Sequence, residues 1–219
     1  MSHKKISSPP SFDNNYVITL KNSFESSYEI FDDVWSQEPA MRQIIDFILP
    51  KLEKNSQVLD VGAGKGYDAL KMLQIGHRVD ALDLVIPKEL KSIARIWPQR
   101  MSYIQGDFIS IDLDKRYDAV LDNGCFHHQH PDLYLDYLNK LWRHTCKNAV
   151  LAINLFTPCC ETKSGTLWKQ DDRRLTRDFT EEEAIKMLKT AKWEVEEIKI
   201  VKRHSGTHDY MLIIARRIE

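Results

Sequence analysis

Between Gln57 and Gly66 an apolar run, Val58-Leu59-Asp60-Val61, gives way to alternating glycines at Gly62, Gly64 and Gly66. Glycines so spaced leave bare backbone at a sharp turn after a strand, where a ligand can come close to main-chain atoms. About twenty residues further on, a second apolar run closes on Asp83, the distance at which an acid reaches the ribose hydroxyls in a nucleotide-binding βαβ unit. A carboxylate accepts two hydrogen bonds from a vicinal diol at once. Phosphate fits less well. Tyr67 stands where a dinucleotide fingerprint needs its last glycine, and a P-loop read back from Gly64-Lys65 meets Leu59 and Gly66 where it needs a glycine and a hydroxyl. Met101 to Phe108 reads as a third strand with Asp107 at its end, and Tyr117 to Asp122 as a fourth. Acids at successive strand ends predict one ligand-binding edge, because open α/β sheets bind along their carboxyl ends.

A second group follows the fourth strand: Cys125, His127, His128 and His130. A histidine near its ordinary pKa suits proton removal, so His127, then His128, is the candidate base; the other role open to them is to orient the loop. The four are too crowded for a structural zinc spacing and no second cluster completes a set, so no metal is expected. Arg173, Arg174 and Arg177 could hold an anionic group through forked hydrogen bonds, although Asp171, Asp172 and Asp178 lie among them.

The elements that must position these residues are also legible. Tyr67 to Ile75 reads as a helix with Ala69, Leu70, Met72 and Leu73 as its apolar set, and Pro39 opens another to Leu49. Pro87 to Ile96 is a helix stopped by Pro98. Asp132 to Trp142 is amphipathic, with Leu135, Leu138 and Leu141 inward, and Ala149 to Phe156 is a fifth strand. Thr180 and Glu183 form a capping box for a helix burying Ala184, Ile185, Leu188 and Ala191. Trp193 to Val201 and Tyr210 to Ala215 flank the turn Ser205-Gly206, too close to be other than antiparallel. Before all of these, Met1 to about Asn15 is expected to be disordered, and the stretch to Ser27 to order only over a ligand. Tyr28, Phe31 and Trp35 follow at near-helical spacing.

The chain has 219 residues and a formal net charge of -1, enough for one well-buried domain and without the basic field that attracts nucleic acid. No apolar stretch approaches a membrane span, and the polar start lacks the apolar centre of a secretory signal. Cys125, Cys146, Cys159 and Cys160 form no C-x-x-C, and reduced thiols in a cytoplasmic enzyme are expected.

The stretch Asp60-Val61-Gly62-Ala63-Gly64-Lys65-Gly66 resembles motif I of the class I methyltransferases that use S-adenosylmethionine. Asp122-Asn123-Gly124-Cys125-Phe126-His127-His128 is similar to the Asp-x-Gly-x-Phe-His-His segment of many bacterial small-molecule members. The resemblance covers about Pro39 to Arg217. It implies a Rossmann-like, doubly wound α/β fold with a mostly parallel seven-stranded sheet ending in an antiparallel hairpin. It implies S-adenosyl-L-methionine as cofactor and S-adenosyl-L-homocysteine as product, held by Asp60, Gly62, Ala63, Gly64, Asp83, Leu84, Asp107, Phe108 and Asp122. It makes residues 1–38 a tail and lid carrying Tyr28 and Trp35, and 39–219 a single domain. An insertion at about 157–178 then presents Arg174 and Arg177 to the substrate. The family's Lys-Pro-Gly-Gly turn before strand five is replaced by Cys146-Lys147-Asn148, away from the proposed site. The expected activity is methyl transfer to a small-molecule oxygen, nitrogen or sulfur; the alternative is a non-catalytic S-adenosylmethionine-binding or interaction module. Asp122-Asn123-Gly124-Cys125 is not the Asn/Asp-Pro-Pro-Tyr/Phe motif of nucleic-acid methyltransferases, and the oligomeric state is left open.

Overall fold

The structure, a computed structural model, describes residues 3–13, 15–159, 165–203 and 208–219. The chain opens with strand β1 (His3–Ile6) and helix α1 (Asn15–Glu29), followed by a 3-10 turn over Val34–Gln37. Helix α2 (Pro39–Ile48) has Pro39 at its first turn and the Glu38 side chain accepting from the Ala40 N–H, which satisfies one of the donors a helix leaves unpaired. Strand β2 (Gln57–Val61), helix α3 (Tyr67–Gln74), strand β3 (Arg78–Asp83), helix α4 (Lys88–Ile96) and strand β4 (Met101–Gln105) form the first parallel half. Strand β5 (Tyr117–Asn123), helix α5 (Tyr134–Arg143) and the long strand β6 (Thr145–Pro158) begin the second. Strands β7 (Leu167–Gln170) and β8 (Leu175–Arg177), helix α6 (Glu181–Thr190) and strands β9 (Trp193–Val201) and β10 (His208–Arg217) follow.

Seven strands run in the order β4-β3-β2-β5-β6-β10-β9. The pairs from β4 to β6 are parallel; β10 pairs antiparallel with both β6 and β9. This is the expected mostly parallel sheet closed by a hairpin. Both faces are covered. Val58, Ala81, Leu121 and Leu212 pack towards α2, α3 and α4, and Leu59, Val120, Leu151 and Ile213 towards α5 and α6. Burial on two sides explains why the central strands read as continuous apolar runs. The capping box at Thr180 and Glu183 is formed.

Several local expectations fail for identifiable reasons. The described part of the N-terminal stretch holds a strand where a disordered tail is expected. β1 pairs antiparallel with β7, which pairs antiparallel with β8, making a separate three-stranded sheet. Helix α1 is held by Tyr16, whose hydroxyl donates to the His128 carbonyl (2.8 Å) and accepts from the Leu175 N–H (3.0 Å). β1 and α1 therefore meet β7, β8 and the turn between them in one cap. Phe31 is exposed at φ +56°, because α1 ends at Glu29 and breaks the helical spacing. Leu135 and Ile185 also face solvent; Tyr134 and Tyr137 take the inward positions of α5 instead. The turn Ser205-Gly206 lies outside the described residues, as do Cys160 and Lys163.

Candidate active site

A cavity of about 400 Å³ opens at the carboxyl edge of β2, β3 and β5 beneath the N-terminal cap. Gly62 lines its floor, and Gly64 stands in the crevice beside it. Both have positive φ, +74° and +53°. A Cβ on Gly62 would stand 2.6 Å from the Cβ of Cys125, and one on Gly64 2.8 Å from the Tyr28 hydroxyl. The glycines thus bring the loop against both the β5 loop and the cap. Ala63, Gly64 and Lys65 line a small crevice adjoining the cavity.

Asp83 closes β3 and lies on the cavity wall beside Leu84. Its Oδ2 accepts from the Gly64 N–H (2.8 Å) and its Oδ1 from the Val85 N–H (2.9 Å). Each oxygen keeps a lone pair. Burial pushes its pKa up to about 6 despite these bonds. Asp107 and Phe108 also line the cavity. Asp107 Oδ2 is held by the Ser110 N–H (3.0 Å) and hydroxyl (2.6 Å), while Phe108 packs edge-on against Tyr137 at 4.7 Å.

Two predicted acids are not on the wall. Asp60 pairs in register with Leu121 and Ala81, one residue behind the strand end. It is buried with Oδ2 unpartnered, and burial, with Asp68 nearby, raises its pKa well above the ordinary carboxylate value. Asp122 accepts from the Cys125 and Phe126 N–H groups (2.8 and 3.1 Å) and from the Tyr137 hydroxyl (2.6 Å). Those bonds hold the turn that carries His127 and His128, and burial lifts the Asp122 pKa to about 6.

Both histidines line the cavity. The His127 ring stacks on Phe156 at 3.8 Å, with Nδ1 unpartnered; burial, with His208 nearby, drives its pKa down to about 3. His128 Nδ1 lies 3.1 Å from the Leu175 carbonyl and 3.2 Å from the Thr176 hydroxyl, and burial lowers its pKa too. Both rings are neutral at pH 7.

Tyr28 and Trp35 reach the cavity from the cap, as does Phe24. Arg174 and Arg177 part ways. Arg174, only 4% exposed, lies on the wall with its guanidinium over the Phe24 and Trp35 rings. Its Nη2 donates to Gln170 Oε1 (2.8 Å), while Nε and Nη1 have no hydrogen-bond partner. Arg177 is not on the wall. Its Nη2 donates to Glu183 Oε1 (2.8 Å), bracing the start of α6.

Sequence reasoning missed the far wall: Phe156, Arg203, His208 and Tyr210. The strand order supplies the missing signal. β10 beside β6 puts Tyr210 opposite Phe156 and His208 opposite Pro158, and the predicted hairpin alone did not say which strand it joined. His208 Nδ1 stands 2.6 Å from Asp178 Oδ1.

Residues 34–198 match a family model described as a methyltransferase domain. The chain is similar to the crystal structure of Burkholderia thailandensis 1,6-didemethyltoxoflavin-N1-methyltransferase with bound 1,6-didemethyltoxoflavin and S-adenosylhomocysteine. The TM-score is 0.92 and the identity 33%, over 99% of this chain and 95% of that one. The N-methyltransferase NodS from Bradyrhizobium japonicum, in complex with S-adenosylhomocysteine, shares the fold. Its TM-score is 0.66 at 15% identity, over 94% of this chain and all of that one. An uncharacterized methyltransferase of Alkaliphilus oremlandii is 25% identical over 115 residues, 52% of this chain; the match spans about half, 49%, of that relative's length.

Proposed function

We propose, proceeding from the fact that the chain belongs to the class I S-adenosylmethionine-dependent methyltransferases, that it transfers a methyl group to a ring nitrogen of a planar small molecule. One observation carries the reading: a single cavity joins the glycine loop, Asp83 and Asp107 to a wall of aromatic rings. The similarity to a structure holding 1,6-didemethyltoxoflavin supports nitrogen as the acceptor atom and a heteroaromatic acceptor.

The residues fit the cofactor. A Cβ at Gly62 or Gly64 would collide with Cys125 or Tyr28, so glycine is what lets this loop lie against the cavity with its backbone bare. Asp83 has lone pairs for two ribose hydroxyls, Asp107 has its Oδ1 for the adenine amino group, and Phe108 and Leu84 supply apolar contact. Ala63, Asp60 and Asp122 act around this shell, Asp122 by fixing the β5 turn. When bound, S-adenosylmethionine supplies a methyl group on a sulfonium that departs without acid assistance. The protein's part is alignment and exclusion of water, since a well-oriented pair reacts far faster than a free one. Tyr28 and Trp35 cover the site, and the stacked group of His127, Phe156 and Tyr210 forms the aromatic wall beside the acceptor. His127 and His128 are too weakly basic in this burial to take a proton at neutral pH; they position the acceptor as neutral rings.

A cytoplasmic enzyme acting without nucleic acid belongs to the same proposal. Cys125 and Cys146 are free thiols, and among the described residues no helix is long and apolar enough to cross a membrane. The test is calorimetry with S-adenosylmethionine and S-adenosylhomocysteine, then a labelled-methyl assay against nitrogen heterocycles, thiols and phenols. Binding of both adenosyl compounds with label on a ring nitrogen is expected. Binding with no transfer to any acceptor would favour the non-catalytic alternative.

A further inference from the structure

The cavity is divided electrically. Its lining carboxylates are Asp32, Asp83 and Asp107, of which Asp83 and Asp107 end the β3 and β4 segments, where the adenosyl part is proposed to lie. The aromatic half instead carries two arginines brought by separate elements, Arg174 from the β7–β8 turn and Arg203 from the end of β9.

The two are built alike. Arg174 lies over Phe24 (4.7 Å) and Trp35 (5.8 Å), and Arg203 over Tyr210 (5.1 Å) and Phe156 (5.5 Å). Rings on a guanidinium occupy its face and leave its in-plane N–H groups as the unmet valence. Each arginine has a long ion pair at its Nε, with Asp172 at 3.8 Å and Glu38 at 3.9 Å, beyond hydrogen-bond distance. Arg174 Nε and Nη1 and Arg203 Nε are buried without hydrogen-bond partners. A buried charged donor left without a hydrogen bond is costly unless something answers it. Neither histidine adjacent to Arg174 hydrogen-bonds these atoms.

We infer that the acceptor is bound as an anion: a planar heteroaromatic N–H acid, deprotonated, with its charge shared between ring nitrogen and carbonyl oxygens and answered by Arg174 and Arg203. This rests on the methyl-transfer reading and names its substrate class. The aromatic rings select a flat molecule, and the arginines select one that carries negative charge in its plane. The N–H proton passes to water before the anion enters, so no base inside the cavity is needed. That agrees with histidines that burial has made poor bases.

The test is titration of lumazine (pteridine-2,4-dione), and of 1,3-dimethyllumazine, which has no N–H to lose, into the enzyme saturated with S-adenosylhomocysteine. Lumazine affinity is expected to rise by up to about tenfold per pH unit until its own N–H is ionised, and that of the dimethyl compound to stay level. The groups facing the arginines are Asp172, Tyr16 and Tyr28 around Arg174, Glu38 and Tyr210 around Arg203, and the histidines His127, His128 and His208, the last paired with Asp178. Protonating any of these as pH falls adds positive charge, which would favour an anion at low pH, the opposite slope.

Arg174→Gln and, separately, Arg203→Gln are expected to weaken lumazine about tenfold or more at high pH and to leave S-adenosylhomocysteine affinity and the melting temperature near wild type. A level lumazine profile, an unchanged profile in both variants, or no lumazine binding to the saturated enzyme would overturn the inference while leaving the methyl-transfer reading intact. Failure of S-adenosylhomocysteine itself to bind would overturn both.

Discussion

Lys65 Nζ stands 2.6 Å from Asp33 Oδ2, with both side chains largely shielded from water. Lys65 sits between Gly64 and Gly66 in the loop after β2; Asp33 precedes the 3-10 turn that carries Trp35. The ion pair therefore ties the floor of the cavity to its cap. The Tyr28 hydroxyl, poised over Gly64, makes a second contact between the same two segments.

Lys65→Met keeps the length and apolar stem of the side chain and removes the charge. It leaves Asp33 without its partner, a loss that is costly when the pair is shielded. S-adenosylhomocysteine affinity is expected to fall about tenfold, about 1.4 kcal/mol, mostly as faster dissociation in stopped-flow, with the far-UV spectrum unchanged. An unaltered dissociation rate would show that the cap closes without this pair.

Gly64→Ala tests the second contact. At φ +53° an alanine is strained by about 1–2 kcal/mol, and its Cβ would also meet the Tyr28 hydroxyl at 2.8 Å. Loss of cofactor binding is expected by calorimetry. Adding Tyr28→Phe removes the collision and leaves the strain, so the double variant is expected to recover only part of the affinity. Full recovery would mean that backbone strain contributes nothing.

Arg177 and Arg174 were equivalent candidates in the sequence and separate cleanly in the fold. Arg177, off the cavity wall, lies over Phe179 and bonds Glu183. Arg177→Ala is expected to cost about 1 kcal/mol of stability, seen as a melting temperature lower by a few degrees, with KM unchanged. A raised KM without a change in melting temperature would return Arg177 to the substrate.

What the sequence disclosed follows from range. The glycine loop and the acids Asp83 and Asp107 were legible because strand, turn and acid lie within one contiguous βαβ pattern whose spacing is set by backbone geometry. Phe156, Arg203 and Tyr210 were not, because their meeting depends on β10 inserting between β6 and β9, a long-range choice that local patterning does not encode. The cap shows the same limit. His3–Ile6 is polar apart from Ile6 and reads as a tail, yet it finds a partner in β7, more than 150 residues away. Asp122 was legible as an acid at a strand end, but only the fold shows its oxygens committed to the Cys125, Phe126 and Tyr137 donors.

His127 offers a test of whether any histidine moves a proton. Its pKa of about 3 means that its ring is already neutral throughout the neutral range, so its titration leaves no inflection there. The kcat profile is expected to show no histidine limb between about pH 6 and pH 7. His127→Phe, which preserves the stack on Phe156, is expected to lower kcat less than tenfold. A loss of several orders of magnitude, with S-adenosylhomocysteine binding retained, would make His127 the base after all.

Asp83 gives the cofactor half its own pH signature. Burial raises the Asp83 pKa to about 6, so the carboxylate is ionised at pH 7 and becomes neutral as pH falls through that value. Two ribose hydroxyls need an acceptor, and a protonated acid offers one fewer. S-adenosylhomocysteine affinity is therefore expected to be level above about pH 7 and to fall by up to tenfold per unit below about pH 6. Asp122 titrates in the same region but its oxygens are committed to the Cys125, Phe126 and Tyr137 donors, so Asp83→Asn is expected both to weaken binding at pH 7 and to flatten the dependence. If the low-pH loss survives in Asp83→Asn, the titrating group is Asp122, acting through the turn it holds, and Asp83 does not carry the ribose.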